Sequence, residues 1–169
     1  MSVVVRRATV SARHAQDTAF VRFANSHLLS PHAIGSGRQE FVPTLAGSTT
    51  PGTQTYAVQL GRANRVEREV TASFCVGLSA KDGATAGNLR ISGLPYPAGA
   101  SLAYATTLCY VRSFDIDAAG GFTNVEAILG PGDSFIQLYE SGDNVVPVPL
   151  TAADFVATSY IYGTIVYNI

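Results

Sequence analysis

From about residue 39 to the end of the chain, apolar and polar residues alternate with a period of two. Clusters of Gly, Pro, Ser, Asn and Asp interrupt the alternation at the spacing of antiparallel β-proteins. Tyr56, Val58 and Leu60 alternate with Thr55, Ala57 and Gln59, and Val70, Ala72, Phe74, Val76 and Leu78 alternate with Thr71, Ser73, Cys75 and Gly77. Each apolar set is expected to line a core, because successive side chains of a strand point to opposite faces. Leu89 and Ile91 alternate with Arg90 and Ser92, while Val125, Ala127 and Leu129 oppose Asn124 and Glu126, which predicts short strands with one wet face. Two runs differ: Tyr104 to Val111 and Tyr160 to Ile169 are apolar or aromatic on both faces and read as central or interfacial strands. In the last, Ile161, Ile165, Tyr167 and Ile169 point one way and Tyr160, Tyr162 and Val166 the other, as in a strand between a core and a neighbouring subunit.

Pro51-Gly52, Asp82-Gly83, Pro131-Gly132 and Gly142-Asp143-Asn144 carry the backbone preferences of tight turns. The only helical signal beyond residue 38 is Leu150-Thr151-Ala152-Ala153-Asp154-Phe155, read as a single turn with Thr151 as cap and Asp154 near its positive end. The expected fold is all-β, an antiparallel β-sandwich of jelly-roll character over residues 39–169, preceded by a short N-terminal helix or arm over residues 1–38. In that first segment Ala12, Ala15, Ala19, Phe23, Ala24 and Leu28 form a narrow stripe at helical spacing, too weak to fold alone. An irregular arm that orders on assembly fits the same residues.

The length of 169 residues suits one medium β-domain with a short appendage. Charged residues make up only 14% of the chain against about 25% in ordinary soluble domains, so part of the surface is expected to be covered by other subunits. With a net charge of −1, no nucleic-acid partner is expected, and Arg6, Arg7, Arg13 and Arg22 read as a solvated face. No apolar run has the length of a membrane span, and the N-terminus lacks the order of a secretory signal. Cys75 and Cys109 lie singly in apolar runs and read as buried thiols, with a disulfide between neighbouring strands left open.

The segments Phe41-Val42-Pro43-Thr44-Leu45-Ala46-Gly47, Gln54 to Arg62 and Leu78 to Pro95, then Ser134 to Glu140 and Leu150 to Phe155 with the closing strand, together resemble a β-domain of bacteriophage tail fibres, tail spikes and head-decoration proteins. The resemblance implies a virion structural or host-attachment role, a homotrimer, and a location on the phage particle surface. One departure follows Arg62, where the charged run Ala63-Asn64-Arg65-Val66-Glu67-Arg68-Glu69 replaces a glycine-bearing hairpin turn and leaves that hairpin's geometry in question.

Candidate chemistry is sparse. Glycoside hydrolysis requires two carboxylates about 5 Å or more apart across a groove. Asp115 and Asp117, with Glu126 and Asp133 downstream, are the candidates, but an acidic turn before Ala118-Ala119-Gly120-Gly121 explains the first two. The same pair lacks the loop that calcium needs. His14, His27 and His32 all precede residue 39 and read as solvated or capping side chains, which leaves no base for a Ser/His/Asp triad in the main domain. Tyr96, Tyr104, Tyr139 and Tyr160 offer flat faces for sugars or proteins, or simply pack. No catalytic residue, metal ligand, cofactor or individual ligand-binding residue is assigned.

The expected function is therefore binding: a fibre, spike or decoration subunit docked to other virion proteins through residues 1–38, with host-surface carbohydrate as partner. The alternatives are a capsid or tail cementing protein and, third, a polysaccharide hydrolase.

Overall fold

Every strand of the computed structural model, which describes residues 37–100 and 104–169, pairs antiparallel with its neighbours. In chain order the strands are β1 (Gly37–Phe41), β2 (Thr44–Gly47), β3 (Thr55–Val66), β4 (Glu69–Ala80) and β5 (Leu89–Ser92). They continue with β6 (Ala105–Phe114), β7 (Asn124–Leu129), β8 (Ile136–Ser141), β9 (Val148–Pro149) and β10 (Phe155–Asn168). One 3-10 turn, Ala118–Gly120, is the only helical element among the described residues. The helix or arm expected over residues 1–38, with His14, His27 and His32, lies outside the described residues except for the start of β1.

Hydrogen bonds join the strands edge to edge in the order β1-β3-β4-β10-β6-β7-β8-β5-β2, with β9 attached to β8. The expected two stacked sheets of a jelly roll are thus linked as one curled antiparallel sheet, a half-barrel. The strand that links them is β6, whose residues 105–109 pair with β7 and whose residues 110–114 pair with β10.

Connectivity explains the curl. The two edge strands, β1 and β2, are consecutive in sequence and separated only by Val42 and Pro43. Three residue steps span at most about 11 Å, so the edges of the sheet must approach each other. Side chains tie this seam. The Gln59 amide donates to the Pro43 carbonyl at 3.1 Å, and the Leu45 N–H donates to the Tyr56 hydroxyl at 3.1 Å. A bulge in β10 between Phe155 and Tyr160 adds local bending. There Ser159 Oγ accepts from the Val156 N–H and donates to the Ser113 carbonyl.

The core fills the inside of the curl. Val70, Ala72, Phe74, Val76 and Leu78 of β4, Leu89 and Ile91 of β5, Val125, Ala127 and Leu129 of β7, and Ile161 and Ile165 of β10 are all buried, as the alternation predicts. Val58 and Leu60 depart from expectation: both stand on the outer face, and Leu60 is 66% exposed. The cause is a register shift in β3 between Thr55, Tyr56 and Val58, which inverts the face on which later residues fall. Tyr56 accordingly packs against the core, and Ala63 replaces Leu60 on the inner face.

The charged β3–β4 hairpin closes through Glu67, which adopts a φ of 54° that glycine usually supplies. Arg65 Nε donates to the Glu67 carbonyl at 2.7 Å, and Arg68 binds the carbonyl of Ile169, tying the final residue to this turn. At residues 151–154 the expected single turn forms. The Asp154 carboxylate accepts from both the backbone N–H and the hydroxyl of Thr151.

Candidate functional site

The outer face of β3, β4, β10 and β6 is built by simple register. Leu60 stands opposite Cys75, Cys75 opposite Tyr162, and Tyr162 opposite Tyr110, giving one row across four strands. The parallel row runs from Arg62 through Ser73 to Thr164, and Glu40 of β1 faces Arg62 at its end. On the other side of the first row, Val58, Gly77, Tyr160 and Arg112 are aligned in the same way.

Nothing in the described chain covers this face. Leu60, Leu108, Tyr110, Tyr162 and Val166 are all large apolar or aromatic side chains with about half or more of their surface exposed. The strands that read as apolar on both sides therefore bury one side in the core and present the other outward. That outward face of β10 is the set Tyr160, Tyr162 and Val166 that the alternation separated from the core.

The tyrosines are ordered by one another. Tyr110 and Tyr162 stack with ring centroids 5.0 Å apart, and Tyr160 meets Tyr162 edge-on at 6.1 Å. The Arg112 guanidinium lies 5.8 Å from the Tyr160 ring centroid. The Tyr160 ring also covers Gly77, where an added Cβ would lie 2.7 Å from Cδ2. Its hydroxyl is 2.9 Å from Cys75 Sγ, and this hydrogen bond is the main cause that raises the Tyr160 pKa.

Beside the row lies a shallow trough of about 580 Å³. Its floor is made of small residues, Gly61, Gly163, Ser73 and Thr164, with the Ser73 and Thr164 hydroxyls bonded at 2.8 Å. Leu60, Tyr162 and the Arg62–Glu40 pair, 3.8 Å apart, form the walls. The face thus offers aromatic and aliphatic surface with hydroxyl and ionic groups at its margin, a combination suited to binding.

The acidic candidates do not converge on it. Asp117 caps the 3-10 turn, its Oδ1 accepting from the Gly120 N–H at 2.9 Å, while its own N–H donates to Glu140. The Asp115 N–H donates to the Asp154 carbonyl, and Asp133 belongs to the turn after Gly130. Glu126 stands on β7 between Leu108 and Tyr139. Among the described residues, no three His, Cys, Asp or Glu side chains gather as a metal site.

Of the four tyrosines that the sequence offers as flat faces, only Tyr160 lies beside the row, against Tyr162. Tyr96 packs on the core beneath Arg65, Tyr139 is half-buried and donates to Gln137, and Tyr104 is exposed at the start of β6's run. Tyr110 is marked in the sequence only by its place in a doubly apolar run. Cys75 and Cys109 are free: Cys75 lies on the outer face, whereas Cys109 packs against the core on a strand beyond β10. Burial pushes the Cys109 thiol up to about 12.

No protein-family model matches this sequence, and no curated protein matches it. Among solved structures, the fold is similar to part of the Dettilon tailspike protein (gp208), with a TM-score of 0.64 and 18% sequence identity. The similarity covers 79% of this chain and 24% of the tailspike, so the chain spans about a quarter of that protein's length. The likeness is one of fold, a phage tail-protein-like β architecture.

Proposed function

We propose that this chain is a structural subunit of a phage-type particle, a small fibre, spike or decoration protein, acting by binding in several copies rather than by catalysis. The observation that carries the reading is the outward-facing row Leu60–Cys75–Tyr162–Tyr110, an uncharged strip on a fold shared with part of a tailspike. Such a strip exposed to water favours coverage by protein. Residues 1–38 serve as the docking segment, the copies form a homotrimer, and the assembled particle carries them on its surface. Weak contacts to host-surface carbohydrate then add up through multivalent display.

The use of Asp117 as the cap of the 3-10 turn and of Asp133 in the turn after Gly130 supports binding over hydrolysis. Retention of the full chain on immobilised bacterial surface polysaccharides, followed by an assay for new reducing ends, tests the proposal. Retention without new reducing ends is the expected result. Release of reducing ends would make the chain a hydrolase, and failure to be retained on every surface would remove the attachment role.

A further inference from the structure

Away from the row, the outer face of β5 and β8 holds a charge without a partner. Arg90 and Ser92 fall on the wet side of β5, as the alternation predicts, and Arg90 stands directly opposite Gln137 of β8. The one ion pair among the described residues joins Arg62 to Glu40, so Arg90 has no carboxylate of its own there. Its Nε is buried, and it is the only buried side-chain nitrogen or oxygen among the described residues without a hydrogen bond. A buried donor of a charged group is costly when unpaired, and here the aromatic ring of Phe135 holds the group in place. The guanidinium carbon lies 5.1 Å from that ring's centroid. With Nε enclosed, the terminal nitrogens are the donors that Arg90 presents to solvent.

Gln137 adds a second donor. Its Oε1 accepts from the Tyr139 hydroxyl at 3.0 Å, so the carbonyl end of the amide is engaged and Nε2 is the end left for a ligand. Directly opposed residues on neighbouring antiparallel strands have Cβ atoms about 5 Å apart, which brings this amide and the guanidinium within reach of one small group. The Ser92 hydroxyl, two residues along β5 on the same face, adds a third donor. Phe135, just before β8, and Tyr139 flank Gln137, both half-buried.

We propose that Arg90 and Gln137 bind the carboxylate of an acidic sugar, with the rings of Phe135 and Tyr139 beside them as surface for the sugar's apolar face. The inference rests on the host-surface attachment reading above and names its sugar class. A guanidinium end offers two parallel N–H groups, the geometry that a carboxylate accepts in bidentate fashion. The aromatic flanks favour a ring-bearing ligand over a bare ion.

The acids on neighbouring elements leave Arg90 to the ligand. Glu126 on β7 is two strands across and two residues along, about 12 Å by strand geometry, beyond the screening length of about 8–10 Å. The Asp133 carboxylate turns to Gly130, where an added Cβ would meet it at 2.6 Å. Asp154 is engaged by Thr151, and buried Glu140 accepts from the Asp117 N–H.

The test measures retention of the full chain on immobilised alginate, hyaluronan and polygalacturonate, and on the same polymers after carbodiimide reduction of their carboxyls to alcohols. Neutral bacterial polysaccharides and a phosphate-bearing teichoic acid complete the panel. Retention on at least one uronic acid polymer, lost on its reduced form, is expected. Arg90→Gln is expected to weaken that retention about tenfold or more and Gln137→Leu about fivefold, while Arg90→Lys, which keeps the charge without the fork, falls between wild type and Arg90→Gln. Thermal unfolding checks that each variant is folded, and carboxyl reduction, which alters only the ligand, decides the matter if Arg90→Gln does not fold.

Equal retention on intact and reduced polymers, or a folded Arg90→Gln that binds like wild type, would overturn this site and leave the attachment reading standing. Retention on neutral polysaccharides or teichoic acid with none on the uronic acid polymers would do the same. No retention anywhere on the panel would overturn both.

Discussion

Asp82 shows how much of the loop structure rests on single side chains. Its carboxylate accepts from the N–H groups of Ala84 and Thr53, and its own N–H donates to Gln54, so one residue ties two loops together. Accepting from Ala84 and then Thr53 holds its pKa below the ordinary carboxylate value. A carboxylate with a depressed folded-state pKa stabilises the fold above its unfolded-state value, and that contribution disappears as pH falls through the folded-state value. Asp82→Asn is therefore expected to lower the melting temperature at neutral pH, with the gap to wild type closing toward pH values at which the wild-type Asp82 carboxyl is protonated in the folded and the unfolded chain alike. Thermal unfolding across acidic pH checks this. Glu67 carries the opposite kind of feature, a left-handed backbone at a residue with a Cβ. Relief of that conformation is worth roughly 1 kcal/mol, so Glu67→Gly is expected to raise stability by up to about that amount in urea unfolding. The resemblance implied a glycine in this hairpin, and the structure shows a glutamate in the left-handed conformation there.

At the scale of elements, alternation is legible wherever a strand is regular. Val70 to Leu78, Leu89 to Ile91 and Val125 to Leu129 place their apolar sets inside, because a period of two assigns faces without knowledge of neighbours. Leu60 escapes this rule because the β3 register shift is a property of pairing with β4. The order of strands is likewise absent from periodicity, so the seam between β1 and β2 and the trough beside it are not readable from residues alone. The seam gives its own prediction. Tyr56→Phe removes the acceptor of the Leu45 N–H and is expected to cost about 1–3 kcal/mol, measured by urea unfolding. Phe155, fully buried in the first residue of β10, anchors the final strand and lies beneath the Lys81 ammonium, 4.4 Å from its ring centroid. Phe155→Ala is expected to cost about 3–5 kcal/mol by the same measurement.

For the whole molecule, the low charge content and the doubly apolar strands point to the same place. One face of β6 and β10 closes the core, and the other extends as an uncharged surface from Leu60 to Tyr110. The candidate site was thus half legible. The aromatic face of β10 could be read from Tyr160, Tyr162 and Val166, but its continuation onto β3 required the strand order. A surface of this composition is unfavourable in water when left open and favourable when shared among copies. The central claim, that the protein works as an assembly of its own copies, is tested most directly by the mass of the full chain in solution, measured by light scattering behind size exclusion. A mass of three chains is predicted. A mass of one chain at micromolar concentration would contradict the account.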